Sequence, residues 1–271
     1  MQKFILFIAL IFWSLIASGQ KYSWNKLLEY NEKNITAWDI NPLEEIVVAS
    51  KYNLQLLNAD FKLLFTQSDK SFGSITEVDA RHSLKTLVFS ASQQMLGIVD
   101  NTLSFQEGKI DLSDLEIDYA SHVCYSDLSN RFWVYDELNS RLLRFEGVKA
   151  SQKQLEISNL AGITQQAEPT FIRESLNQLI LFYKGSGVFI FDYYGSLIRY
   201  HSNKLALQVS STEKYIYILT DKEIIRIERG EDNRIRIELP YEGIQDFRIY
   251  GNNVYFMDKH GIKKYSLIHE P

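Results

Sequence analysis

One cysteine, four prolines and 13 glycines in 271 residues leave the chain few of the usual devices for stapling and turning. The lone thiol, Cys124, forms no internal disulfide, and its apolar setting (His122-Val123-Cys124-Tyr125) reads as that of a buried, inert side chain. With so little proline and glycine, the turns of a loop-rich chain fall to Asn, Asp, Ser and Lys. No basic stripe exists: 29 Lys and Arg are scattered among 34 Asp and Glu, for a net charge of −5, which argues against nucleic-acid binding. No Pro- or Ser-rich linker, charge block or low-complexity tract divides the chain. The G-x-S-x-G elbow, the P-loop, a G-x-G-x-x-G opening a helix and the EF-hand loop are also missing, which removes the common signatures of hydrolases, nucleotide binders and calcium sensors.

What is present begins with a leader. Lys3 precedes an apolar core from Phe4 to Ile16, and Ala17-Ser18-Gly19 offers small residues for cleavage. This is the layout of a signal peptide over residues 1–19. Its core is shorter than the ~20 apolar residues a membrane span needs, so no transmembrane segment is expected after cleavage, with an uncleaved N-terminal anchor as the alternative. No lipobox cysteine follows the core. The Lys-led leader ending in Gly-Gln resembles export signals of the Bacteroidota. Export without disulfides points to the periplasm, with full secretion as the alternative.

Beyond the leader, a pattern recurs about every 40 residues, the mark of a repeat architecture. Each unit has a first strand, a polar turn, a second strand apolar on both faces, a hairpin, a third strand and a more polar outer strand. The turn and second strand read Asp39-Ile40-Asn41-Pro42-Leu43-Glu44-Glu45 before Ile46-Val47-Val48-Ala49 in unit one. Unit two has Asp79-Ala80-Arg81-His82-Ser83-Leu84-Lys85 before Thr86-Leu87-Val88-Phe89. Units three and four follow suit around Leu128 and Leu176, so a Leu recurs in the first four turns. Units five and six have shorter turns, Ser210 to Lys214 and Tyr250 to Asn253. A strand apolar on both faces is what sheets stacked against one another require.

The pattern predicts an all-β fold: a six-bladed β-propeller of four-stranded blades, a single domain over residues 20–271. Unit six ends after three strands, and Tyr22 to Tyr30 (YSWNKLLEY) belongs to no unit. This segment is expected to supply the missing outer strand of the last blade and close the ring, which removes free sheet edges; a helix over Trp24 to Tyr30 is the alternative. The repeat resembles the six-bladed propellers of the NHL-repeat and TolB-like group, at the level of pattern and over the whole mature chain. WD-repeat signatures are missing as a set.

Propellers bind ligands in the central channel and on the rims. The residues placed to face the channel or its rims are Trp38, Asp39, Asp79, His82, His122, Glu168, Arg173, Gln208, Asp246 and Arg248, with Glu77 and Asp118 beside them. Lactonase propellers resembling gluconolactonase hold a divalent cation in such a ring, and that resemblance would make Asp39, Glu168 and Asp246 its ligands here, although no matching Asn set is present. The bland reading is that Asp39 and Asp79 cap nearby turns and that His122 is a hydrogen-bonded structural residue. Aromatic residues cluster in units three to five, among them Phe132, Trp133, Tyr135, Phe182, Tyr183, Phe189, Phe191, Tyr193, Tyr194, Tyr215 and Tyr217. Alternation puts Tyr215 and Tyr217 on one sheet face. Packing between blades and a sugar- or peptide-binding surface are the two readings.

These observations lead to a non-catalytic, monomeric exported scaffold for another envelope protein, with no cofactor. A metal-dependent lactonase-like hydrolase with a channel cation and a carbohydrate- or small-ligand-binding propeller are the alternatives.

Overall fold

The computed structural model describes residues 21–270 apart from 83, 129, 148–151 and 232; the leader at 1–19 lies outside the described residues. The chain enters as β1 (Lys21–Asn31). Blade one follows as β2 (Ala37–Ile40), β3 (Ile46–Ser50), β4 (Asn53–Leu57) and β5 (Leu63–Ser68). Blade two is β6 (Glu77–His82), β7 (Lys85–Ser90), β8 (Met95–Val99) and β9 (Phe105–Asp111); blade three is β10 (Ala120–Tyr125), β11 (Arg131–Asp136), β12 (Arg141–Glu146) and β13 (Gln152–Ile157). Blade four is β14 (Phe171–Ser175), β15 (Gln178–Tyr183), β16 (Gly187–Phe191) and β17 (Leu197–Ser202). Blade five is β18 (Gln208–Ser211), β19 (Tyr215–Leu219), β20 (Glu223–Glu228) and β21 (Arg234–Glu238). Blade six is β22 (Asp246–Tyr250), β23 (Asn253–Asp258), β24 (Gly261–Glu270) and β1.

Six four-stranded antiparallel sheets result, as the repeat predicts. Their first strands touch in sequence around a closed circle: β2 with β6, β6 with β10, β10 with β14, β14 with β18, β18 with β22, and β22 with β2. The closing strand is the one expected. β1 pairs antiparallel with β24 from Lys21 opposite Glu270 to Asn31 opposite Gly261, with a bulge between Lys26 and Leu28. Trp24 is therefore in a strand, not a helix; its ring packs on Phe256 at 5.3 Å and its Nε1 donates to the Glu238 carbonyl of blade five at 2.6 Å. Helical structure among the described residues is confined to Leu160–Thr164 and two 3-10 turns, and no described helix is long and apolar enough to cross a membrane.

The hydrophobic interior is divided into layers between blades. Val47, Ala49 and Leu56 pack on Ala80 and Val88 between blades one and two, and Leu87, Phe89 and Ile98 on Val123, Phe132 and Val134 between two and three. Trp133 and Tyr135 meet Ile172, Leu181 and Phe189 between three and four, and Ile180, Phe182 and Ile190 meet Ile216, Ile218 and Ile225 between four and five. This explains why the second strands are apolar on both faces: each serves two layers at once. Most of the aromatic residues of units three to five are consumed here, with Trp133, Tyr135, Phe182, Tyr183 and Phe191 all buried.

Candidate functional site: the central channel

Residues two apart on a strand share a face, so each first strand offers two positions to the axis. Pairing with the second strands sets their level. Asp39 lies opposite Val47, Asp79 opposite Leu87, Cys124 opposite Trp133, Arg173 opposite Ile180, Ser210 opposite Tyr217 and Arg248 opposite Tyr255. One step nearer the channel mouth come Ala37, Glu77, His122, Phe171, Gln208 and Asp246. The inner row thus carries two carboxylates and two guanidiniums, and the outer row two carboxylates, an imidazole and an amide.

The inner row closes the channel. Asp39, almost fully buried, receives Arg248 Nε at 3.1 Å and Arg173 Nη1 at 3.4 Å, and its Oδ2 accepts from the Ala80 backbone N–H at 3.0 Å. Asp79 repeats the last contact one blade on, accepting from Tyr125 N–H at 2.9 Å. Expected to cap local turns, these aspartates instead stitch each first strand to the next blade's first strand; Asp79 alone also accepts locally, from Arg81 N–H at 3.2 Å. Burial opposes the charge of Asp79, but the guanidiniums of Arg81 and Arg173 outweigh it and hold the carboxyl below its ordinary value.

Above this plug is a cup of about 210 Å³, lined by Trp38, Glu77, Asp79, His122, Arg173, Gln208, Asp246 and Arg248 among others. Trp38 points between blades one and six and donates its Nε1 to Asp246 at 2.9 Å; Arg248 Nη1 donates to the other oxygen of Asp246 at 2.7 Å. Glu77 is the third stitching acid: one oxygen accepts from Val123 N–H at 2.6 Å and the other meets His122 Nδ1. Burial disfavours the His122 imidazolium, yet the charge and hydrogen bond of Glu77 prevail, so the ring titrates above its ordinary value.

Two candidates lie elsewhere. His82 is at the opposite rim, edge-on to Tyr125 with ring centroids 4.6 Å apart, in a groove shared with Pro42 and Phe132; burial lowers its pKa. Glu168 is largely exposed on the loop before β14, outside the cup wall yet near enough to His122 for their charges to interact; partial desolvation and the Glu137 charge raise its pKa against that of His122. Asp118, also exposed, accepts from Asn139 at 2.7 Å. Asp39, Glu168 and Asp246 therefore do not converge, and among the described residues no three His, Cys, Asp or Glu side chains form a metal-binding group. Cys124 is buried, and burial raises its pKa, in keeping with an inert thiol.

Arg81 and Glu174 are members of the plug that sequence reasoning missed. Arg81 binds Asp79 and Asp127 and donates to the Glu174 carbonyl of blade four, while the Glu174 carboxylate accepts from Trp133 Nε1. The signal was the Asp79-x-Arg81 spacing, hidden by a bulge after Asp79 that turns Arg81 inward.

Fold and channel together define the class: a six-bladed β-propeller with an internally plugged axis. No family model matches the sequence, and no curated protein does. Among solved structures the chain is similar to a streptogramin B lyase, with a TM-score of 0.64 at 10% identity over 91% of this chain and 98% of that one. It is similar to the Pan2 WD40 domain of Neurospora crassa, with a TM-score of 0.65 at 7% identity over 90% and 95%. A third likeness is to Hsv2 of Kluyvelomyces marxianus, with a TM-score of 0.55 at 11% identity over 84% and 74%. At such identities the likeness is one of fold, and propeller folds serve enzymes and binding proteins alike.

Proposed function

We propose that the protein is a non-catalytic propeller that presents one rim to another protein of the cell envelope. The observation that carries this reading is the recurrent leucine. The turns between first and second strands all lie on the rim below the plug, and in blades one, two and four they hold Leu43, Leu84 and Leu176 more than half exposed; Leu128 of blade three is half-buried at the same turn. Single exposed leucines are unremarkable, but one at the same turn of four successive blades makes an apolar crescent. A groove of about 560 Å³ beside Leu84, lined by Pro42, His82, Tyr125, Arg131 and Phe132, offers a socket for a partner's side chain. The leader and the disulfide-free chain support a periplasmic setting for this contact.

Tagged protein crosslinked in its native cells tests the proposal. One reproducible envelope partner is expected, lost when Leu43, Leu84 and Leu176 are changed together to Glu while the fold persists. A partner retained by that triple variant would sink the rim assignment. A second reading, a small polar ligand held in the channel cup, rests on the His122–Glu77 pair in its wall. Candidate sugars that raise the melting temperature of the wild type and of His122→Ala equally would count against it.

A further inference from the structure

A further cavity, separate from the channel and from the leucine-bearing turns of blades one to four, opens between blades five and six, beside the corresponding turns of those two blades. Its volume is about 650 Å³, the size of a small-molecule site. Its wall is Tyr215 and Tyr217 of β19, Arg226 of β20 and Ile235 of β21, facing Leu267 and Tyr22 of blade six. The cavity exists because a repeated capping device is missing there.

Arg226 pairs with Tyr217 across the sheet. The same register places Arg144 beside Trp133 in blade three and Lys264 beside Tyr255 in blade six. In both of those blades the aromatic–cation pair is covered by the turn between the third and outer strands of the following blade. Tyr193 of blade four stacks on Arg144 at 4.2 Å, opposite Trp133 at 5.2 Å, so that Arg144 is buried between two rings. Phe61 of blade one packs on Tyr255 at 6.1 Å, and Glu44 pairs with Lys264 at 2.9 Å. Blade five has no such cover. The blade that follows it is the one closed by β1, and no hairpin turn joins β24 to β1.

Arg226 is left with the ring of Tyr215 at 4.8 Å, Tyr22 at 5.9 Å and a long bond from Nη2 to the Tyr22 hydroxyl at 3.3 Å. Among the described residues no carboxylate lies within ion-pair distance of it, and its Nε is buried without an acceptor. The other charges on the wall are Lys214, paired with Glu228 at 3.4 Å, and Glu213, so Arg226 is the one cation of the lining without a recognised carboxylate partner among the described residues.

We propose that this cleft binds a small aromatic carboxylate. The ligand's ring takes the place that Tyr193 and Phe61 hold between the other blades, against Tyr217, Ile235 and Leu267. Its carboxylate supplies the acceptor and the countercharge that the Arg226 guanidinium lacks. The hydroxyls of the surrounding tyrosines add donors at the rim.

Calorimetric titration of the full chain with indole-3-acetate and with its neutral amide tests the proposal. The acid is expected to bind and the amide to bind at least about tenfold more weakly, since only the acid makes charge-assisted bonds. Folded Arg226→Gln is expected to lose the difference. Equal binding of acid and amide, no binding of either, or a folded Arg226→Gln that retains the preference would overturn the proposal. Should Arg226→Gln not fold, Ile235→Trp decides: it fills the cleft from the outer strand, and undiminished binding of the acid to it would also overturn the proposal.

Discussion

Arg173 of blade four reaches Asp39 of blade one, its diametric opposite in a six-bladed ring, with Nη1 3.4 Å from the carboxylate. A single buried carboxyl thereby ties four blades: its own, blade two through Ala80 N–H, blade four through Arg173 and blade six through Arg248. Removing Asp39 takes the one close carboxylate from Arg173 and leaves Arg248 with Asp246 alone, whereas removing Arg173 leaves Asp39 with Arg248 and a backbone donor. Asp39→Ala is accordingly expected to cost about 3–5 kcal/mol and Arg173→Met about 1–2 kcal/mol. Urea denaturation checks the order; Arg173→Met as damaging as Asp39→Ala would mean that the cross-axis pair, not the carboxylate hub, dominates.

The His122–Glu77 pair makes stability depend on pH in a defined direction. The folded ring titrates above its ordinary value of 6.5, so the stability it contributes is fully present below pH 6.5 and is lost as pH rises through the folded value. Replacing Glu77 by Gln removes the largest influence that raises it and leaves burial opposed only by the Pro169 backbone and the Glu168 charge. The imidazole resonance of His122 is then expected to titrate lower by NMR, and the fall in melting temperature across neutral pH to flatten. An unchanged titration in Glu77→Gln would show that Glu77 is not the cause. Acid behaves oppositely: Asp69, held at about 2 by hydrogen bonds from Lys109 and Ser71, contributes stability present above its ordinary 3.8 and lost as pH falls toward 2.

The repeat order, the number of blades and the strand that closes them could all be read in the sequence because each rests on period-two patterning and local turn chemistry. Asp39, Asp79, His122, Arg173, Gln208, Asp246 and Arg248 could be placed near the axis for the same reason: they belong to first strands. Their partners could not. Asp39 meets Arg173 across 134 positions, and Asp79 meets Tyr125 N–H only because adjacent blades stand side by side. Glu168 stands apart from Asp39 and Asp246 because it sits on a loop and not in a first strand, a matter of loop path that no strand period encodes. The blade five cleft was equally hidden, since it depends on a missing turn in another blade.

Two glycines show how tightly the outer strands approach. Gly261 opens β24 at φ 142°, and a Cβ there would lie 2.0 Å from the Tyr30 carbonyl oxygen of β1; Gly187 opens β16 at φ 141°, 2.1 Å from the His201 carbonyl of β17. Both the backbone region and the collision exclude a side chain. Each Gly→Ala change is expected to cost about 2–3 kcal/mol or more. The consequences differ by place. Hydrogen exchange should show Gly261→Ala releasing the amides of β1, which only a non-local pairing holds, while Gly187→Ala loosens β17 within a continuous hairpin. Protection of β1 unchanged in Gly261→Ala would contradict the close approach.

Trp24 carries the ring closure energetically. Besides the β1–β24 ladder, its indole packs edge-on against Phe256 and, at 6.3 Å, Tyr265, and its N–H reaches across to the Glu238 carbonyl of blade five. Trp24→Ala deletes a half-buried aromatic and its bond to that carbonyl, which water can take over, at an expected cost of about 2–3 kcal/mol that comes chiefly from lost packing. Trp24→Phe retains the ring contacts and is expected to recover more than half of the loss. Because β24 without β1 is an exposed sheet edge, the Ala variant should also aggregate earlier on heating than its change in stability alone implies. Light scattering recorded alongside thermal unfolding separates the two effects, and coincident onset in Trp24→Ala and in Arg173→Met, matched for stability, would show that β1 does not protect that edge.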